Sequence, residues 1–379
     1  MDPKEILEYF RSRQPSMINA ISEIVEIESP SHDPERNRKA ADWVEAAFRG
    51  IPIDLSIERI AAEGFGDHLL IKAFPENKKG VLVLGHIDTV HPVGTKEKNP
   101  TRVEDGRMYG CGIFDMKANV VVMIEALRYL AQTGIRPPLP LTFLLSCDEE
   151  VGSFSGRELV ENEAVDSEFC LVCEPSSLGR VKTGRKGTGV FTLKAHGLPA
   201  HAGLEPERGA SAILELARQI EKLQALNDPS AGTSVNVCTI RGGTTTNVIP
   251  EHAECTIDVR FTSTAAAKRI LSVLRTLKPF DERVTLSVLG DINRPPMERT
   301  AAVAALYEKA RSIAASFDYE LGETQVGGGS DGNFVGALGV PVLDGLGIFG
   351  DGAHTLHEHI LVSDIAKRAT LVTLLLAAG

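Results

Sequence analysis

The sequence carries histidine and carboxylate residues at the ends of apolar runs, the residue types that hold borderline metal ions and activate water. Val81 to Leu84 are apolar, lie between glycines and lead into Gly85-His86-Ile87-Asp88. Such a run predicts a strand buried on both faces of a parallel sheet. His86 and Asp88 then stand at the C-terminal edge, where open α/β sheets bind ligands. Two residues apart on an extended chain, they project to the same side. A histidine that gives one ring nitrogen to a metal usually donates its other N–H to a carboxylate, and His-x-Asp supplies that pair from one segment.

Two more apolar runs end in acid. Leu141 to Ser146 leads into Cys147-Asp148-Glu149-Glu150, and Leu171 to Cys173 leads into Glu174-Pro175. Adjacent carboxylates repel one another unless a cation sits among them. Asp115 follows Gly110-Cys-Gly112, at the start of an apolar helix expected from Met116 to about Gln132, where it serves as a cap or as a ligand on a turn. Late in the chain His354, His357 and His359 compete for one further role. His86, Asp115, Glu150, Glu174 and one of these histidines make two imidazoles and three carboxylates, a set suited to two ions such as Zn²⁺, Co²⁺ or Mn²⁺. A shared carboxylate and a water held by both metals would yield a nucleophile at neutral pH. One more acid must take its proton, and Glu149 and Glu150 can divide the two roles.

The elements that position these residues alternate. Helical spacing of apolar residues covers 1 to 28, with Pro15 expected to separate two helices. A helix from Asn37 to Arg49 and a strand from His68 to Ala73 follow, and the alternation predicts an α/β fold. At 379 residues the chain exceeds the ~250–300 at which one core stops growing, so two domains are expected. From Lys182 the strands alternate as half-exposed ones, in the order β-α-β-β-α-β of a ferredoxin-like α+β domain. The expected organisation is a mostly parallel-sheet catalytic domain over 1–182 and 293–379, interrupted by an α+β insertion over 183–292.

A net charge of -11 argues against nucleic acid or an anionic membrane as partner. The first ten residues carry acids where a signal peptide needs a basic region, and no run approaches a membrane span, so a cytoplasmic location is expected. Six cysteines do not make a disulfide scaffold, and Cys170-x-x-Cys173 lies inside an apolar strand.

The motifs together resemble a family. His86-x-Asp88-Thr-Val, Gly110-x-Gly112-x-x-Asp115-Met-Lys, Asp148-Glu149-Glu150-x-Gly-Ser and Glu174-Pro are similar to those of the di-zinc peptidases and deacylases that include acetylornithine deacetylase, succinyl-diaminopimelate desuccinylase, aminoacylase and bacterial glutamate carboxypeptidase. The likeness continues through Gly197-x-x-Ala200-His201-Ala, Gly243-x-x-x-Asn247-Val-Ile-Pro, Asp258-x-Arg260, Gly328-Gly329-Ser330-Asp331 and His354-x-x-His-Glu-x-Ile. It implies that His86 and Glu174 hold one zinc, Glu150 and His354 the other, and that Asp115 bridges them. Asp88 would orient His86, and Glu149 would be the general base. The insertion would act as lid and homodimer interface. There, His201 would reach the partner's site to stabilise the oxyanion, while Asn247 and Arg260, with Gly329 nearby, would bind the substrate carboxylate.

Within the family the motifs are most similar to those of folate-cleaving glutamate carboxypeptidases. There a lysine before the lid and an arginine after it contact the glutamate side chain, positions held here by Lys182 and Arg294. Gly184 departs from the serine of those enzymes. The implied substrate is an N-acyl amino acid, folate-like compound or short peptide with a free C-terminal carboxylate, the leaving residue being glutamate or aspartate. An aminoacylase is the alternative in the same class. A catalytically dead dimeric binding protein is the alternative from another, and the presence of every ligand and of Glu149 argues against it. His32, His68, His91, His196 and His252 fit no motif and are expected to be solvated or structural.

Overall fold

The structure, a computed structural model, describes residues 2–379 and divides into two compact units. One comprises the chain up to Gly184 together with Arg299–Gln325 and Ser330–Gly379. The other comprises Arg185–Glu298 and Val326–Gly329. The units change over at Gly184/Arg185 and Glu298/Arg299, where the sequence suggested 182/183 and 292/293. Paired backbone hydrogen bonds between Arg185 and Met297, 3.0 Å each, keep the segment after Arg294 within the second unit.

The first unit is built on a six-stranded sheet in the order Leu55–Ala62, Gly66–Ala73, Leu141–Ser146, Gly80–His86, Ser167–Val172, Val342–Leu343. The first two pairings are antiparallel and the remaining three parallel. Every residue of Gly80–His86 is buried. Val81 and Val83 join the main apolar core, while Leu82 and Leu84 are buried outside it, as a strand covered on both faces requires. The strands that deliver His86, Glu149-Glu150 and Glu174 are immediate parallel neighbours, so their C-terminal ends lie side by side.

Helices Pro3–Val25, Ala118–Thr133 and Ile365–Ala378 pack against one another beside this sheet. The first corrects an expectation: it is continuous, with Pro15 inside it. An interior proline costs about 3 kcal/mol. Ile6, Phe10, Met17, Ile21 and Ile24 fall on one buried stripe that runs past it, and each such side chain contributes about 1.5–3 kcal/mol on burial. Burial of that stripe outweighs the local break. No helix among the described residues is long and apolar enough to cross a membrane.

The second unit is an antiparallel sheet in the order Ser234–Gly242, His252–Phe261, Gly187–His196, Thr285–Arg294. With helices Ala212–Gln224 and Thr264–Arg275 between its strands, it has the ferredoxin-like order. Ser211 and Ser263 cap the two helices. Residues alternate strictly between a core that includes Ile257, Val259 and Phe261 and an open face that carries Asp258 and Arg260.

Candidate active site

His86 ends its strand with its ring buried. Its Nδ1 lies 3.0 Å from the Asp88 main-chain oxygen and 3.4 Å from that residue's carboxylate. Asp88, fully buried, does more than face His86. Its two carboxylate oxygens accept the backbone N–H groups of Glu149 and Glu150, each at 3.2 Å, and the Ser31 hydroxyl at 2.7 Å. One carboxylate thus ties the end of the first strand to the turn that follows the second.

Asp115 sits on a tight turn after Gly112, whose φ is +69° and whose Cβ would overlap the Thr89 methyl. Only glycine fits there. The helix begins two residues later than the sequence suggests, at Ala118, because residues 113–117 form this turn, with Asp115 and Met116 at non-helical φ/ψ. Asp115 Oδ1 lies 3.0 Å from His86 Nε2, and Oδ2 lies 3.4 Å from His354 Nε2. Glu174 Oε1 is 3.5 Å from His86 Nε2, and Glu150 Oε2 is 3.2 Å from His354 Nε2. Five residues therefore fall into two triplets, His86–Asp115–Glu174 and His354–Asp115–Glu150, sharing one carboxylate. Of the three late histidines it is His354 that joins them, at a φ of +65° that a non-glycine residue rarely adopts. His357 bonds Thr355 and His359 bonds the His357 main-chain oxygen.

The donors fit metal ions. Separations of 3.0–3.5 Å match the ~2.9–3.4 Å between ligands that share one ion at ~2.1 Å. Glu150 Oε1 is buried with no hydrogen-bond partner. Burial and the neighbouring Asp115 carboxylate push the Glu150 carboxyl above its usual range. Asp115 and Glu150 raise His354 to about 10, and for His86 the Asp115 and Asp88 carboxylates outweigh the lowering effect of burial. Cations therefore satisfy this cluster, and metal ions must displace protons to enter it. Glu149, His86 and Glu174 bring one donor atom each within 4.8 Å of one another, so Glu149 borders the His86 triplet as a further carboxylate.

One organising residue escaped the sequence reading. Glu358 is fully buried, and its carboxylate accepts the N–H groups of Gly112, Phe114 and Asp115 at 2.8, 2.9 and 3.0 Å. His91 Nε2 lies 2.7 Å from Oε2, the oxygen that also accepts the Gly112 N–H, so His91 is structural rather than solvated. The available signal was Glu358 itself, in the closing motif. Glu358→Gln keeps the shape but removes the charge that gathers these donors, and metal affinity should fall about 10–100-fold. Competition with a chelator measures this, and unchanged affinity would show that the turn holds without it.

His68 is likewise buried. Its Nδ1 accepts the Cys147 N–H at 3.2 Å, its Nε2 bonds Ser155, and Ser155 donates to Asp148. Asp148 therefore braces the turn beneath Glu149. Asp331 of the Gly-Gly-Ser-Asp motif receives the hydroxyls of Ser146 and Ser153, bracing the same turn.

The remaining candidates are described within their own units. Lys182 is buried, with its main chain bonded to Asp344. His201 Nδ1 accepts the N–H groups of Gly203 and Leu204 at 3.1 Å, and Ala202 N–H bonds Asn247 O, so His201 and Asn247 share one loop pair. Arg260 forks onto Asp258, with bonds of 2.8 and 3.0 Å. Arg294 is buried with its side chain against Gly329, where a Cβ would collide with it. Arg185, not singled out in the sequence, donates to the main-chain oxygens of Gly328 and Gly329.

Comparison with known proteins places the molecule. Carboxypeptidase G2 of Pseudomonas sp. is 29% identical over 94% of this chain and 87% of its own length. Succinyl-diaminopimelate desuccinylase of Alkalilimnicola ehrlichii is 32% identical over 74% of this chain and 79% of that protein. Among solved structures, aminopeptidase PepT of Bacillus cereus superposes with a TM-score of 0.77 at 22% identity, covering 96% of this chain and 98% of that one. The M20 metallo-carboxypeptidase Sso-CP2 of Sulfolobus solfataricus gives 0.66 at 17% identity, over 95% and 99%. The model of "Peptidase family M20/M25/M40" matches residues 82–378, and the chain belongs to that family.

Proposed function

We propose that this hydrolase cleaves the amide bond to a C-terminal glutamate or aspartate of an N-acyl amino acid, folate-like compound or short peptide. The observation that carries the reading is the pair of donor triplets sharing Asp115, with Glu149 beside them. His86, Asp115 and Glu174 would hold one Zn²⁺, and His354, Asp115 and Glu150 the other; Co²⁺ or Mn²⁺ suit the same donors. Such a pair supplies Lewis acidity and lowers the pKa of a water molecule toward neutrality.

The protein's own groups do the rest. Asp88 fixes the His86 ring and the glutamate turn. Glu149 takes the proton of the attacking water and returns it to the leaving nitrogen. His201, with Nδ1 occupied as an acceptor, carries its proton on Nε2 and offers it to the oxyanion of the partner subunit's site in a homodimer formed through the second unit. Asn247 and Arg260 bind the substrate's α-carboxylate, and Lys182 and Arg294 its side-chain carboxylate. For Arg260 this means sharing its guanidinium between Asp258 and substrate. The likeness to carboxypeptidase G2 supports carboxypeptidase action, and the likeness to succinyl-diaminopimelate desuccinylases supports hydrolysis of an N-acyl amino acid; the glutamate assignment rests on Lys182 and Arg294, whose positions match the family's side-chain contacts.

The test is release of free amino acid, in zinc buffer, from aromatic N-acyl compounds that differ only in the C-terminal residue. Glutamate should lead neutral residues by at least about tenfold in kcat/KM, and Arg294→Ala should erase that lead, a difference of about 1.4 kcal/mol or more. A lead for neutral residues would keep the metal chemistry and put an aminoacylase in its place.

A further inference from the structure

The second unit carries a cluster that the proposed hydrolysis does not use. His196 ends one central strand and His252 begins its antiparallel neighbour, and the register sets them directly opposite each other. Both are exposed, while their neighbours Ala195 and Ala253 point into the core. Residues so opposed hold their Cβ atoms about 4.5–5.5 Å apart, a spacing the ladder fixes rather than the side chains. The two Nδ1 atoms lie 3.1 Å apart, with ring centroids separated by 4.7 Å. Glu251 precedes His252, and the Gly197 N–H bonds its main-chain oxygen at 2.7 Å, closing the same end of the ladder. Its carboxylate straddles the pair, one oxygen 3.8 Å from His196 Nε2 and the other 3.7 Å from His252 Nε2.

We infer that His196 and His252, backed by Glu251, form a separate surface site for one divalent transition-metal ion of the Zn²⁺, Ni²⁺ or Cu²⁺ class. Two imidazole nitrogens on one ion at ~2.0–2.1 Å stand ~2.9 Å apart at a right angle and ~3.4 Å apart at a tetrahedral one. The observed 3.1 Å falls between. At that distance one Nδ1 donates its hydrogen and the other accepts it. An ion takes the place of this shared proton, and both rings then carry hydrogen on Nε2, the side that faces Glu251. A metal-bound imidazole whose other N–H points at a carboxylate is the usual arrangement around such ions. Imidazole donors select Zn²⁺, Cu²⁺ and Ni²⁺ over Mg²⁺ or Ca²⁺. Beside the pair opens a cavity of about 450 Å³, lined also by Lys194, Arg241, Glu254 and Ser287, with room for the ion's water ligands. An ion there ties two central strands of the sheet at their ends.

The test starts from enzyme already saturated at its catalytic centre and adds Zn²⁺, counting bound ions after equilibrium dialysis. The wild type should take up one ion more per chain than His196→Ala/His252→Ala. Added zinc should raise the melting temperature of the wild type and not of the double variant. Each single variant should lose at least tenfold in affinity for the extra ion, because a chelate fails when either arm goes, while kcat on the amide substrate stays unchanged. Equal uptake by wild type and double variant would overturn the inference. So would single variants that each lose only half of a weak binding, which marks two independent imidazoles.

Discussion

Glu149→Gln should cut kcat about 10²–10⁴-fold, the usual contribution of a positioned general base, while the protein still binds two metal ions per chain. The separation of these two effects follows from geometry. Glu149 borders the His86 triplet, with a donor atom within 4.8 Å of those of His86 and Glu174, and is not among the five residues of the two triplets that share Asp115, so the substitution leaves all five donors in place. Its turn is held through the backbone by Asp88, which accepts the N–H groups of residues 149 and 150 whatever the side chain at 149. Glutamine keeps the shape and hydrogen-bonding reach of glutamate and cannot take up a proton. Steady-state kinetics with metal analysis of the same preparation checks the pair of outcomes. Full activity would remove the base role, and loss of metal would make Glu149 a ligand.

His201→Ala should lower kcat about 10²–10³-fold, the cost of removing one oxyanion donor. The side chain is exposed, and Gly203 and Leu204 hold its Nδ1 as an acceptor, which leaves Nε2–H pointing outward as a donor. That donor belongs to the second unit, whereas all five metal-binding candidates belong to the first. The proposal that it serves the partner's site has a direct test by complementation. Glu149→Gln and His201→Ala dimers, each nearly inactive, are dissociated, mixed and reassociated. Random pairing makes half of the dimers mixed. In each mixed dimer the His201→Ala subunit keeps its Glu149 and receives His201 from its partner. About one quarter of wild-type activity should return. No recovery on mixing would confine His201 to its own chain or remove it from the reaction.

A large part of this protein is legible before folding. The burial of Gly80–His86 follows from a run of branched apolar residues between glycines, and the α/β alternation from periods of two and 3.6. The donor types are local too: His86, Glu150 and Glu174 follow apolar runs that become neighbouring parallel strands, so strand order alone aligns their ends. Where the sequence was ambiguous, the competing signals were local and the deciding ones were not. Pro15 reads as a break, yet a buried stripe running past it keeps the helix whole. Three late histidines share one short motif; residue types alone leave them equivalent, the family's motif singles out His354, and the fold brings that ring to Asp115.

The sequence by itself determined which groups are present and in what order: imidazoles and carboxylates at strand ends, two folding units and an acidic chain. The family resemblance assigned roles to several of those groups, and tertiary structure decided the contacts through which they act on one another. It sent one oxygen of Asp115 to His86 and the other to His354, residues that lie 29 positions before it and 239 after it. It made Asp88 a clamp on the glutamate turn and Glu358 the acceptor for three N–H groups of the Asp115 turn. It set His196 against His252 through the register of two strands. The physical reason is common to all of these. A carboxylate takes its role from the donors that converge on it within about 3 Å, and convergence between distant segments is a property of packing that local spacing does not encode.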